Sequence, residues 1–304
     1  MSKVKAPLLS THATGSLSKS LTFSKFRNTT VAKRIPTHPD ARTLPQLYQR
    51  WRFVDARFYW WSLSQAQRDQ YEYNARSLNM TGWAYFLSIY LKNPLDQVLW
   101  LRHDTIAAGI TPDFSAKGNH GTVFGANLAP GIIDNALNFD GIDDYIECGS
   151  APNLNFTTQF TTACHIYLNE LGWWHPLIQK DNGSTKREWG FWISNTNQLR
   201  LELWTADGCF TTNANTTLEL HTWYHAAWTY DGAYNRLYLN GKLDMTPSAA
   251  TGAILTTDQR VEVGARVTGN NWGKGKLDEP RLYTRCATPK HIHYIATKEL
   301  FPPL

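Results

Sequence analysis

At 304 residues, with 42% hydrophobic and 18% charged residues and a net charge of +5, the chain has the balance of a globular protein with material for one large core or two modest ones. Its apolar runs fall far short of the roughly 20 residues a membrane-spanning helix needs, and its first thirty residues lack the apolar stretch of a secretory signal, so neither a membrane span nor Sec-type export is expected. Cys148, Cys164, Cys209 and Cys286 form no Cys-x-x-Cys pair, which argues against a zinc or dithiol centre and for free, buried thiols.

The net charge conceals a division. Residues 1–95 carry 14 Lys and Arg against 4 Asp and Glu, while the remainder carries 16 against 21. Residues 1–39 alone hold seven basic side chains and no acidic one. Here "GSLSKSLTFSKF" alternates, with Leu17, Leu21 and Phe23 on one face, and "RNTT" can turn the chain into "VAKRI" as a small hairpin. Residues 1–36 therefore read as a basic extended arm or hairpin. Two strands are marginal alone, so Lys19, Lys25, Arg27, Lys33 and Arg34 are expected to dock on an acidic partner.

Residues 37–96 predict a small three-helix bundle. Leu44, Leu47, Trp51, Val54, Phe58 and Trp61 step by three and four residues, which lines one helix face. Ser64 with Gln67 is a capping-box pattern opening a second helix, and Thr81 can cap a third, "GWAYFLSIYL". The stretch "WWSLSQAQRDQYEYNARSLNMTGWAYFLSIY" resembles a pattern of phage-encoded virion proteins, and it also resembles the L-shaped, DNA-binding HMG box. An HMG-type binder carries apolar wedges and dense Lys and Arg along its helices. Here the basic excess sits in the preceding tail, so a protein partner is favoured over nucleic acid.

Residues 97–304 are strand-rich. "FTTACHIYL", "EWGFWIS", "QLRLELW", "YHAAWTY", "NRLYLNG" and "RVEVGA" recur between Asp-Gly and Asn-Gly turn signals, the pattern of an antiparallel sandwich or jelly roll. In "TWYHAAWTY" the alternation makes His225 a hydrogen-bonded sandwich residue rather than a catalyst. Four blocks, "DFSAKGNHGTVFG", "GIIDNALNFDGIDDYIECG", "TWYHAAWTYDGAYNRLYLNGKL" and "GKLDEPRLYTRCATPKHI", resemble in order the signatures of the laminin G-like, concanavalin A-like lectin/glucanase sandwich. The resemblance implies a mainly β fold, an antiparallel jelly roll whose first and last strands lie close together.

Catalytic chemistry is not legible. Glycosidases of this fold use closely spaced carboxylates on one strand, and neither "RLELW" nor "KLDEPRL" reproduces that alternation. Nucleophile-elbow and phosphate-loop motifs are also missing. Calcium is the more plausible ion, because it accepts six to eight oxygens from carboxylates, amides and carbonyls on loops. Asp113, Asn119, Asp140, Asp143, Asp144 and Asp278 offer them, and the resemblance brings Asp113, Asp140 and Asp278 into one neighbourhood as the expected ligands. Sugar stacking has aromatic candidates in Trp173, Trp174, Trp189, Trp192 and Trp272. Asn270, Asn271 and Trp272 are preferred, since a Trp in so polar a loop is expected to be exposed beside amides suited to hydroxyls.

These readings combine into a non-enzymatic virion protein of a phage-like particle, a capsid decoration, head-fibre or tail-associated component. Its N-terminal region would bind capsid or tail proteins, as a homo-oligomer or lattice-bound subunit. Its sandwich would bind a surface polysaccharide. The rivals are a polysaccharide-active enzyme of the same fold and a DNA-binding helical module fused to a sandwich.

Overall fold

The computed structural model describes residues 15–17, 21–26, 29–34, 44–92 and 96–298, with side chains from Gln49 onward except Trp51 and Lys298. The chain divides into two compact units, Met1–Tyr48 and Gln49–Leu304. The first contains a three-stranded antiparallel sheet of Gly15–Leu17, Leu21–Phe26 and Thr29–Arg34. Leu17 pairs with Leu21 and Phe26 with Thr29, so the alternating run folds back once before the expected hairpin. Lys25, Lys33 and Arg34 stand on these strands. Their side chains, and Lys19 and Arg27 altogether, lie outside the described residues.

Helix α1 (Leu44–Ser62) enters the second unit and is followed by α2 (Gln65–Ala75) and α3 (Gly82–Tyr90). The capping box is present: Gln67 N–H donates to Ser64 Oγ at 3.3 Å, and Ser64 N–H donates to Gln67 Oε1 at 2.8 Å. Thr81 caps α3 through Ala84 N–H at 3.2 Å. Ala56, Leu63, Phe86 and Tyr90 form the core of the bundle, with Trp60 and Tyr71 each 5.2 Å from the Phe86 ring. The buried face of α1 keeps the expected Phe58 but departs from the expected line elsewhere, since Trp61 is 50% exposed while Asp55 and Ala56 are buried. Steps averaging about 3.4 residues lag a 3.6-residue helix by roughly 20° per turn, so after five turns Trp61 has rotated off the face. Leu44, Leu47 and Trp51 lie outside the described side chains.

The rest is a sandwich of a nine-stranded and an eight-stranded sheet, all pairings antiparallel. Strict alternation builds its core. On the strand Gln198–Thr205, Leu199, Leu201 and Leu203 are buried inward, while Arg200, Glu202 and Trp204 take the outer face. Phe160 sits 4.7 Å from Trp228 and 5.5 Å from Trp189, so the aromatics of the two sheets interlock. As expected, the first and last strands are neighbours: Gln97–Trp100 pairs with Lys274–Tyr283. All four cysteines are free, with Cys148 and Cys164 buried and Cys209 exposed.

Helix α4 (Pro289–Lys298) packs Ile292 and Ile295 against Ala163, Ala227 and Tyr238 of the nine-stranded sheet. It also reaches the bundle, because Phe58 stacks on His291 at 4.9 Å and Asp55 accepts a hydrogen bond from His291. The boundary expected at residues 96–97 is thus bridged inside one unit.

Candidate functional site: an aromatic groove on the eight-stranded sheet

One row across the outer face of the eight-stranded sheet runs Thr211, Glu202, Gly190, Gln179, Glu262, Glu147 in register. The next row holds Trp192 opposite Arg200, and Arg200 opposite Asn213. Trp192 folds its indole back over Gly190, where a β-carbon would collide with the indole nitrogen. Glycine is what lets this ring lie flat on the sheet. Above it, Ala265–Arg266 and Asn271–Trp272 pair as a short hairpin, closed by a 3-10 turn and Asn270 at φ 50°, a conformation asparagine tolerates. Glu262 anchors this turn by accepting from Val267 N–H at 3.1 Å.

Two adjoining hollows share Trp174 and Asn271. The larger, about 400 Å³, is lined by Gly141, Glu170, Trp173, Trp174, Asn270, Asn271 and Trp272. The second, about 230 Å³, lies over Trp174, Trp192, Glu202, Arg266 and Asn271. Trp173 and Trp174 are 64% and 36% exposed, an unusual state for indoles that marks them as contact surface. On the far side Trp272 continues into Tyr145 at 6.2 Å, and Tyr145 stacks on Phe124 at 4.4 Å. Arginine heads lie over rings of the groove, Arg266 on Trp192 at 4.7 Å and Arg200 on Trp174 at 5.4 Å.

The acidic groups of this face are mostly tied up. Glu202 takes Arg200 at 3.2 Å, and Arg260 bridges Glu147 and Glu262 at 2.8 Å each. Asp181 accepts from Gly183 N–H and faces Arg187 at 4.0 Å. Burial pushes the Asp181 carboxyl up, against the lowering effect of that backbone bond and of Arg187 and Arg266.

Of the expected sugar-binding residues, Asn270, Asn271 and Trp272 line the groove together, with Trp272 partly buried where exposure was expected because it pairs in the hairpin and packs toward Tyr145. Trp189, by contrast, is a core residue. Sequence reasoning missed Arg266, Glu202 and Tyr145, because only the strand register brings them to these indoles. His225 is buried as expected, but its ring Nδ1 has no hydrogen-bond partner among the described residues and it packs edge-on to His165 at 4.9 Å. Burial lowers its pKa to about 3.

The expected calcium ligands are not brought together. Asp140 pairs with Lys274 across the sheet, and Asp278 lies four residues further along the same strand, about 13 Å away. Asp113 bridges to Leu101, one strand further out. Its carboxylate is filled by four donors: Trp100 N–H, Ser115 N–H and Oγ–H, and Asn119 N–H, at 2.7–3.0 Å. Asn119 in turn donates to Val98 O at 2.7 Å, so "GNHGTV" is a turn pinned from within. Asp278 is fully buried and accepts from Ile132 and Ile133 N–H; burial and the neighbouring Glu279 push its carboxyl well up. This set does not fit a shared cation. Among the described residues, the acidic side chains that do cluster, within 4.8 Å, are Asp140, Asp143 and Asp144. Two of their oxygens already accept backbone N–H groups, of Ile142 and Asp140.

The Laminin_G_3 model, of the concanavalin A-like lectin/glucanases superfamily, matches residues 140–293, half of the chain. The chain belongs to this superfamily. Solved structures agree on the fold. The binding domain of Paraclostridial Mosquitocidal Protein 1 is similar at a TM-score of 0.54 and 15% identity, over 67% of this chain and 52% of that one. Domain 4 of AbnA, an extracellular GH43 arabinanase from Geobacillus stearothermophilus in complex with arabinotriose, gives 0.54 and 16%, over 66% and 98%. Trypanosoma rangeli sialidase in complex with sialic acid gives 0.52 and 20%, over 67% and 33%. The chain thus spans about half of the first of these and a third of the last. No curated protein matches the sequence. Among the described residues no helix is long and apolar enough to cross a membrane.

Proposed function

We propose that the protein is a non-enzymatic glycan-binding protein whose ligand lies in the groove between Trp174 and Trp272. The observation that carries this reading is the convergence of exposed indoles with Asn270 and Asn271 on one hollow of the outer face. Sugar rings offer C–H faces that stack on indoles, and hydroxyls that pair with amides and carboxylates. Ligands named with the fold relatives, arabinotriose and sialic acid, are sugars and support the same reading. Binding is favoured over hydrolysis because Glu147, Glu202 and Glu262 are held by arginines. A general acid needs a carboxyl kept protonated near its working pH. The test is a glycan array probed with the full chain and with Trp174→Ala and Trp272→Ala. Glycan signals that fall in both variants support the site; no signal for the wild type sinks it.

The basic N-terminal region favours a setting. With seven cations and no anion in residues 1–39, and a unit that clusters separately from the sandwich, it suits an anchor on an acidic protein lattice. We place the protein on a phage-like virion as a capsid decoration, head-fibre or tail-associated subunit, where repetition multiplies a weak glycan contact by about 10²-fold or more. Deleting residues 1–36 should abolish incorporation into particles while leaving the sandwich folded. Normal incorporation of the truncated chain contradicts this setting.

A further inference from the structure

We propose that the groove takes an acidic sugar and that Arg266 holds its carboxylate; this rests on the glycan reading above and narrows it. The Arg266 guanidinium lies 4.7 Å over the Trp192 ring, and its Nη2 donates to Asn271 Oδ1 at 2.9 Å. Two glycines make room for it. A β-carbon on Gly269 would come within 2.6 Å of Nε, and one on Gly183 within 3.3 Å of the guanidinium. The fork is therefore fixed flat before any ligand arrives, which lowers the ordering cost of binding.

The neighbouring described cations at this end of the face each have an acid within 4.0 Å: Arg187 has Asp181, Arg200 has Glu202 and Lys274 has Glu170 at 3.6 Å. Asp181, the acid whose titration Arg266 influences, turns Oδ1 to Arg187 and to Gly183 N–H, and its buried Oδ2 has no hydrogen-bond partner among the described residues. Among the described residues Arg266 forms no ion pair, and its buried Nε has no acceptor. A planar fork of N–H donors matches a planar carboxylate better than it matches a hydroxyl. Trp174 lines the same hollow and supplies the stacking face for the ring that bears the carboxylate. Uronic acids and sialic acids share this chemistry, a carboxylate attached to a hydroxylated ring.

The experiment measures binding of the full chain to two matched pairs: polygalacturonate against its methyl ester, and sialyllactose against lactose. The first pair reads a uronic source, the second a sialic one. Wild type should prefer the acidic member of at least one pair by about tenfold or more. Arg266→Gln should erase that preference, and Arg266→Lys, with the charge but not the fork, should restore only a small part. Thermal melting of each variant controls for folding. Equal binding within both pairs, or a preference that survives Arg266→Gln, overturns the acidic assignment and leaves the glycan reading standing. No binding to any of the four probes overturns the assignment too, and the array then decides the wider reading.

Discussion

Asp55 on α1 and His291 on α4 share a 2.6 Å hydrogen bond across 236 residues of chain. Arg285 fixes its direction. The guanidinium can only donate, so His291 Nδ1 accepts from Arg285 Nη2 at 3.0 Å, and Nε2–H is the proton offered to Asp55. Arg285 also pairs with Asp96, which accepts the Tyr90 hydroxyl at 2.7 Å, so one relay joins α1, α3, α4 and the sandwich edge.

Breaking that relay should release the helices from the sandwich. Asp55→Ala leaves a buried imidazole N–H without an acceptor and is expected to cost about 2–3 kcal/mol. Urea unfolding checks the size, and His291→Ala should cost more, since it removes the same bond together with the Arg285 hydrogen bond and the stacking on Phe58. A double variant should therefore fall well short of the sum of the singles.

Acid should weaken the protein through its buried histidines. Burial lowers His103 to about 4 and His225 to about 3, and also lowers His165, His175 and His291. Between those values and about 6.5 the unfolded chain binds protons that the folded one refuses. This contribution is thus complete above about pH 6.5 and falls as the pH drops toward 4, by about 3 kcal/mol for His103 alone. Raised carboxyls such as Asp181 and Asp278 work in the opposite sense. The comparison with His103→Asn isolates the histidine part: asparagine tolerates the φ of 56° and can still donate to Leu277 O. Urea midpoints at pH 7 and 4.5 should differ less in this variant than in the wild type.

A single methyl should spoil the groove. Gly190→Ala drives a β-carbon into the Trp192 indole, which must lift from the sheet and push Arg266 with it. The expected stability cost is about 1–3 kcal/mol. Glycan binding should be lost at temperatures where circular dichroism still reports the native fold.

Asp113 is a brace, and calcium should not alter its worth. Asp113→Ala abandons four donors around one buried carboxylate, an expected loss of about 3 kcal/mol or more. Melting with millimolar calcium and with chelator should show the same loss. A cost that appears only with calcium present would restore an ionic role to this residue.

What the sequence disclosed was local. Ser64 and Gln67 announce their helix because both partners of the capping box lie within one turn. Asn240 and Gly241, at φ 49° and 77°, announce their turn because few other residues adopt such angles cheaply. Alternation in 198–205 separates core from surface with no knowledge of the partner strand. Arg266 over Trp192 depends instead on which residues face one another across the sheet and on a glycine two places from the Trp, and no short window holds that information. The acidic residues misled as well. Asp113 and Asp278 look like free ligands in the sequence, whereas Asp113 is filled by donors of its own loop and of Trp100, and Asp278 is buried on amides from residues 132 and 133.

The strand Lys274–Tyr283 sits in the middle of the nine-stranded sheet, between Phe160–Leu168 on one side and Asn135–Asp140 and Gln97–Trp100 on the other. A ribosome makes it after every other described strand. Until it emerges, the sheet has a gap at its centre, and Asp55 and Phe58 wait for a histidine not yet translated. Birth order and spatial order are opposed, so contacts across the longest sequence separations close the fold and partial folding gains little along the way. Transcripts that stop before codon 274 should yield chains without a stable sandwich.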